Sequence, residues 1–266
     1  MSTTADKLCV AILGLGEAGA RFAADLAAGG VDVRAWDPDP ARLSPGARAA
    51  DGPAGAVAGC DVVLSLNNGS VAVDAAREAL PGLSPGAVYA DLNTAPPQVK
   101  RAVADVIALS GALFADVALL GPVPLHGLGV PAFASGDGAE EFARRLRPLG
   151  MRVEAIEGPA GAAAARKLVR SVFMKGLAAA AVESLRAAEA AGCGEWLRAD
   201  LARVLDGPGE PLLERLLDGS RRHAVRREAE MQAALELLEE LGVEPRVTVA
   251  ARGWLEELAA EEAGVR

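Results

Sequence analysis

Histidine, cysteine, aromatic residues and long apolar runs are what this sequence has least of. Two histidines, His126 and His223, are too few for a histidine-rich zinc site. Three scattered cysteines, Cys9, Cys60 and Cys193, form neither a CxxC pair nor a disulfide framework, so all three are expected to be reduced and none catalytic. Metal catalysis is not expected. No apolar stretch reaches the roughly eighteen residues of a membrane span, and the opening MSTTADK lacks the basic-then-apolar order of a signal peptide. A cytoplasmic protein without a membrane partner is the expectation. Aromatics make up 3%, and 27 basic residues face 36 acidic ones for a net charge of −9. With no basic stripe interleaved with aromatics, nucleic acid is not an expected partner. Lysine is scarce as well: only Lys7, Lys100, Lys167 and Lys175 are lysine, and the other basic residues are arginine.

What is present is an apolar fraction of 51% and a charged fraction of 24% in 266 residues, the balance of a globular chain of one or two domains. Apolar runs rich in β-formers at residues 8–14, 31–37, 61–67, 87–93, 112–119 and 131–136 read as strands. Between them, 17–29, SVAVDAAREAL and PPQVKRAVADVIALSG carry helical patterns, and such alternation predicts a doubly wound parallel sheet. Near Gly158 the rhythm changes. Residues 160–191 are Ala-rich and proline-free, which predicts one helix of roughly thirty residues. EWLRADLARVL, the stretch from PLLERLL through HAVRREAEMQAALELLEELG, and VTVAARGWLEELAAEE continue as helix. The expected architecture is an α/β domain over 1–157 and an all-α domain over 158–266, joined by the long helix.

The first apolar run leads into Gly14-Leu15-Gly16-Glu17-Ala18-Gly19, a GxGxxG pattern. In a chain with 30 glycines the pattern alone is weak, but here it closes a strand and opens a helix. Gly14 then permits the tight turn, Gly16 lets backbone amides approach a pyrophosphate, and Gly19 lets helix and strand pack closely. Asp37 ends the second strand, where a carboxylate accepts the adenosine ribose hydroxyls and repels a 2′-phosphate. The expected cofactor is NAD or NADP, with NAD favoured. Arg34 and Arg42 lie close enough to blur that preference.

With these motifs the chain resembles the β-hydroxyacid dehydrogenases, the superfamily of 3-hydroxyisobutyrate and 6-phosphogluconate dehydrogenases. It is most similar to a shorter branch whose C-terminal helical domain has no known function. The features that carry the resemblance are GLGEAG, the DLNT of residues 91–94, and the helix-borne lysine of GPAGAAAARKLVRS. The resemblance implies a Rossmann domain holding the dinucleotide through Gly14, Leu15, Gly16, Glu17, Ala18, Gly19, Asp37, Leu66, Asn67, Asn93 and Thr94. It also implies that Lys167 is the catalytic group. Physical chemistry supports that choice: arginine cannot release its proton in a protein, whereas lysine shifts its pKa readily near positive charge or when desolvated. Lys167, Ser171 and Lys175 are spaced i, i+4, i+8 along one helix face, and Lys167 lies near the positive helix end.

Two positions depart from the family pattern. Ser171 stands where relatives carry asparagine, and it lacks the amide's second donor. Relatives hold a substrate carboxylate with Ser-Gly-Gly, whereas this chain reads DVALLGPVPLHG over 116–127, with Leu119 and Leu120 displacing the serine. Gly121, Pro122, Pro124 and His126 are the remaining candidates to line a substrate pocket, together with Lys175. His223, with Arg226, Arg227 and Glu230 at helical spacing, is a candidate anion contact or a solvated ion-pair network.

The expected reaction is reversible alcohol oxidation on a hydroxy-acid-like small molecule, with Lys167 as general base and acid, its pKa lowered toward neutrality. Ser171 and Asn93 orient the reacting groups, and a cleft between the domains excludes water. Two alternatives stay open: an imine reductase using NADPH, or a dinucleotide-binding sensor or scaffold without turnover. Leu212, Leu213, Leu216, Leu217, Leu235, Leu237, Leu238 and Leu241 give the helical half more apolar surface than it can close alone, so a homodimer is expected.

Overall fold

The computed structural model describes residues 8–42 and 44–264. The chain divides into two compact units, residues 1–170 and 171–266, with the division inside the long helix. The first unit runs β1 (Cys9–Leu13), α1 (Glu17–Ala28), β2 (Asp32–Trp36), β3 (Arg48–Ala49), α2 (Pro53–Val57), β4 (Val62–Ser65), α3 (Ala72–Ala79), β5 (Val88–Asp91), α4 (Pro97–Ala108), β6 (Leu113–Leu119), α5 (Val123–His126), β7 (Ala132–Ser135), α6 (Ala139–Leu146), β8 (Val153–Ala155) and the start of α7 (Ala162–Ala190).

Eight strands form one sheet in the order β3-β2-β1-β4-β5-β6-β7-β8. Every residue of β1, β4 and β5 is buried, because both sheet faces are covered. Side chains alternate across the sheet, so Val10 and Ile12 join Phe22 and Leu26 in one core layer, while Ala11 and Leu13 join Val57, Tyr89 and Val103 in the other. Between β1 and β4 the strand order reverses direction. In such sheets ligands bind outside the carboxyl ends of the strands at that point.

The sheet departs from the all-parallel expectation at one pairing: β7 runs antiparallel to β6, with Asp116 opposite Ser135, and β8 then follows β7 in parallel. A parallel return needs a crossover of a dozen or more residues, usually a full helix. The link from Leu119 to Ala132 is long enough but holds only the four-residue α5 and a single 3-10 turn, so no full helix carries the chain back across the sheet face.

The cysteine expectation is also corrected. Cys9 and Cys60, 51 residues apart in sequence, have Cα atoms 4.6 Å apart and are joined as a disulfide. The register of β1 with β4 brings them near: Val10 pairs with Val62, so Cys9 lies beside Asp61 and Cys60 is the next residue along. Cys193 is free.

The second unit contains the rest of α7, then α8 (Gly194–Leu205), α9 (Gly209–Arg222), α10 (Ala224–Glu240) and α11 (Arg246–Gly264). It is all helical, as the patterning predicts. Among the described residues no helix is long and apolar enough to cross a membrane. The Glu183 carboxylate on α7 accepts the Val247 and Thr248 amides at 2.6 and 2.8 Å and the Thr248 hydroxyl at 2.6 Å, filling donors that the first turn of α11 leaves open. Burial raises its pKa, but the Thr248 hydroxyl and these amides outweigh that and leave it below the ordinary carboxylate range.

The single helix expected across His223 is two. His223 sits at φ −125°, ψ 28°, ending α9 and starting α10. No proline marks the break. A Cβ on Gly219 would meet the Arg227 guanidinium, so the glycine leaves room for that side chain, which donates to Ser220 Oγ at 2.8 Å.

Candidate active site

The loop between β1 and α1 has the shape of a phosphate cradle. Gly14 adopts φ +100°, and a Cβ there would lie 2.5 Å from the Leu66 carbonyl oxygen and 2.7 Å from Asn67 Oδ1. A Cβ on Gly19 would overlap the Gly14 carbonyl oxygen, so the helix can approach the strand this closely only without a side chain. Gly16 is the N-cap of α1 and supplies no side-chain acceptor, which leaves the amides of the first turn for an anion. Beside this loop lies a cavity of about 590 Å³ lined by Gly14, Gly16, Asp37, Leu66, Asn67 and neighbouring residues of β2, the loop after it and α3. Leu15 is buried and Ala18 packs on the core, while Glu17 is exposed in the first turn.

Asp37 stands at the end of β2, and each of its carboxylate oxygens already accepts a backbone amide. Oδ2 accepts the Leu15 amide at 2.7 Å and Oδ1 the Asp39 amide at 2.9 Å, and the side chain is 5% exposed. It straps the glycine loop to the strand that follows α1.

At the carboxyl ends of β4 and β5 the next groups converge. Ser65 Oγ accepts the Asn67 amide group at 3.1 Å and the Asn93 amide group at 3.3 Å. Asn93 also donates its backbone and side-chain N–H groups to Asp91 Oδ1 at 3.0 and 2.6 Å, and its own Oδ1 is buried without a partner. Thr94 follows on the exposed side, and Lys167 Nζ donates to Thr94 Oγ1 at 2.9 Å. Six of the residues singled out in the sequence (Gly14, Leu66, Asn67, Asn93, Thr94 and Lys167) are thus brought to one end of the sheet. The cradle that a Cβ would fill, the open first turn of α1 and the orphaned Asn93 oxygen all fit a dinucleotide.

Beneath these residues lies a group that sequence reasoning missed. Register pairs Leu13 with Ser65, Ser65 with Asp91, Asp91 with Asp116, and Asp116 with Ser135, so one polar row crosses four adjacent strands. The row is buried, and so is Lys100 from α4. Its Nζ donates to the Asp91 carbonyl at 2.7 Å and lies 3.2 Å from Asp91 Oδ2 and 3.3 Å from Asp116 Oδ1. Those two oxygens have no well-directed hydrogen bond, so charge attraction at short range is what offsets their burial. The other oxygen of Asp116 accepts the Gly161 and Ala164 amides at 3.1 and 3.0 Å and the Ser135 hydroxyl at 3.3 Å, and Ser135 Oγ accepts the Ala163 amide at 2.9 Å. Asp116 and Ser135 therefore cap α7, the helix that carries Lys167. The positive helix end expected to act on Lys167 is offset by this carboxylate. Nearby, burial pushes the Tyr89 phenol far above its ordinary pKa, Ser65 partly counters it and the Asp91 charge adds to it.

The family model described as the NAD binding domain of 6-phosphogluconate dehydrogenase matches residues 9–149, more than half of the chain. The chain belongs to this family. A second model, described as a domain of unknown function (DUF1932), matches residues 188–258. No curated protein matches the sequence. Among solved structures, the chain is similar to a conserved hypothetical protein from Sinorhizobium meliloti 1021, at 33% identity over 97% of this chain and 90% of that one, with a TM-score of 0.63. It is similar also to a conserved protein of unknown function described as structurally similar to 3-hydroxyacid dehydrogenases, at 28% identity over 95% of this chain and 98% of that one, TM-score 0.63. An imine reductase from Myxococcus stipitatus, solved with NADP+, shares the fold at TM-score 0.80 and 18% identity over 95% of this chain and 94% of that one. This 6-phosphogluconate dehydrogenase relative thus has the general fold of NAD(P)-binding oxidoreductases.

Three residues of the first unit expected at the family's substrate site lie outside the lining of this cavity. Gly121, Pro122 and His126 belong to a segment tied to α1: Asp25 accepts the Leu128 amide at 2.9 Å, and Arg21 reaches the Pro124 carbonyl at 3.4 Å. None of the three lines the 590 Å³ cavity. Ser171 and Lys175 continue along α7 one and two turns beyond Lys167, within the second unit. His223 is exposed at its helix break, and the arginines expected beside it are engaged elsewhere, Arg226 with Glu230 at 2.8 Å and Arg227 with Ser220.

Proposed function

We propose that this protein is an NAD(P)-dependent oxidoreductase that transfers hydride between the nicotinamide and the carbinol carbon of a hydroxy-acid-like alcohol, with Lys167 as general base and acid and NAD the favoured cofactor. The observation that carries the reading is the hydrogen bond from Lys167 Nζ to Thr94 Oγ1, 2.9 Å long, at the strand ends where the glycine loop also lies. When bound, the nicotinamide ring takes up or returns the hydride. Lys167, as a neutral amine, takes the hydroxyl proton while the carbinol C–H bond breaks. In the reverse direction its ammonium returns that proton to the carbonyl oxygen. Thr94 aims the amine, and Asp116 with Ser135 fixes the helix turn that bears it. Gly14 and Gly16, with the open amides of α1, hold the pyrophosphate. Gly121, Pro122 and His126 are proposed to meet the rest of the substrate.

The test pairs Lys167→Ala and Lys167→Arg with a panel of hydroxy acids and cyclic imines, followed at the nicotinamide absorbance band, beside a fluorescence titration of cofactor binding. Both variants lose turnover by about 10²–10⁴ while binding cofactor as the unaltered protein does. Normal turnover in either removes Lys167 from the chemistry. Turnover of imines alone replaces the alcohol reading, and tight binding without any turnover makes the protein a sensor. The protein is further proposed to be a homodimer, since Leu213, Leu216, Leu217 and Leu237 are exposed. A mass consistent with a monomer at micromolar concentration in light scattering would contradict it.

A further inference from the structure

The cavity beside the glycine loop has an uneven charge. Asp37, Asp39, Asp74 and Glu78 line it, and Arg42 is the one cation among its lining residues. These groups differ in what they have left to offer. Asp37 is nearly buried and spends both oxygens on the Leu15 and Asp39 amides. Asp74 is paired with Arg77 at 2.8 Å. Arg42 is held between carboxylates, 3.6 Å from Asp39 Oδ2 and 3.8 Å from Asp37 Oδ2, and its guanidinium lies 3.8 Å from where a Cβ on Gly16 would stand. Asp39 is 52% exposed, with one oxygen accepting the Ala41 amide and the other turned to Arg42. Glu78, on α3, is exposed and pairs with no cation among the described residues.

We infer that the choice between NAD and NADP is made by Asp39 and Glu78, which keep a negative field at the adenosine end of the cavity, Asp39 also holding Arg42 away from a 2′-phosphate, while Asp37 acts chiefly as the strap of the glycine loop. The inference rests on the dinucleotide reading of this cavity. A ribose hydroxyl or a 2′-phosphate meets exposed groups first, and the strand-end acid that usually reads the ribose is nearly buried, with one backbone amide already on each oxygen. Neutralising Asp39 acts twice. It removes one repulsive charge and releases Arg42 toward the phosphate, while asparagine retains the oxygen that accepts the Ala41 amide.

The experiment measures NADH and NADPH dissociation constants by fluorescence titration, with no substrate present. The unaltered protein binds NADH more tightly. Asp39→Asn combined with Glu78→Gln moves the NADPH-to-NADH ratio toward NADPH by about fivefold, the effect of two unit charges about 7 Å from a doubly charged phosphate in screened water. The shift shrinks in 0.5 M salt. Asp37→Asn loosens the glycine loop and weakens both cofactors, and because Asp37 also lies 3.8 Å from Arg42 it moves their ratio, but by less than the double variant does. The inference is overturned if the double variant leaves the ratio unmoved, or if Asp37→Asn alone moves it as far. An unaltered protein that binds neither cofactor sinks the dinucleotide reading itself, and the inference goes with it.

Discussion

Replacing Lys100 by methionine tests the buried row most directly. Methionine keeps the length of the side chain but removes the charge between two carboxylates that are 0% exposed. At 3.2 and 3.3 Å, each attraction is worth about 5 kcal/mol at an effective dielectric of about 20, before the desolvation of the ions is subtracted. What survives subtraction, and is lost with the cation, is about 3–5 kcal/mol. The hydrogen bond to the Asp91 carbonyl goes with it. Against a total stability of about 5–15 kcal/mol, that is enough to bring the first unit close to unfolding. The assay is urea unfolding followed by the fluorescence of Trp36, with Trp196 and Trp254 changed to Phe so that the signal reports the first unit alone. A second arm combines Lys100→Met with Asp91→Asn. The asparagine keeps the oxygen that Asn93 uses and leaves only Asp116 charged, so the pair recovers at least about 1.5 kcal/mol over Lys100→Met alone, a coupling well above additivity. A Lys100→Met protein within about 1 kcal/mol of the parent would refute the argument, because only a solvated lysine is lost so cheaply.

Gly19→Ala puts a methyl group onto the Gly14 carbonyl oxygen, so α1 must move off β1; unfolding stability falls by about 1–3 kcal/mol and both NADH and NADPH bind at least tenfold more weakly. Unchanged cofactor affinity there would mean that the glycine loop is not the cradle. Glu183→Gln weakens the cap of α11, with a loss of about 1–2 kcal/mol at neutral pH in thermal or urea unfolding of the second unit. The folded pKa of Glu183 lies below its ordinary 4.5, so its stabilisation is complete above that value and is lost as pH falls through the folded one. The parent therefore loses stability on acidification to pH 4 and below more steeply than Glu183→Gln does, and parallel curves would rule the cap out as a source of acid sensitivity.

The long apolar strands were legible because burial on both sheet faces writes itself as an uninterrupted apolar run, and α7 was legible because nothing in its sequence stops it. Elements too short to show a period went unread: the two residues of β3, the five of α2 and the three of β8. The reversal at β7 goes with a connection that lacks a full helix, which strand patterning does not encode. Lys100 and its carboxylates were hidden because a paired buried charge has the same letter as a solvated one. Two signals did point to them. Lys100 shares the helical face of Val103 and Ile107, which a surface lysine would avoid, and the strands VVLS, VYAD and AFAS each end on a polar residue at the same height in the sheet. The glycine motif was read in its right place, yet the service of Asp37 to the backbone could be known only from where its two oxygens point.

The cap on α7 ties the amine to the sheet by a short route. Lys167 stands only about 7.5 Å along the axis from Ala162, less than two turns beyond the backbone amides that Asp116 and Ser135 hold. A proton donor proposed at that spot inherits the rigidity of the strands beneath it, with little helix in between to bend.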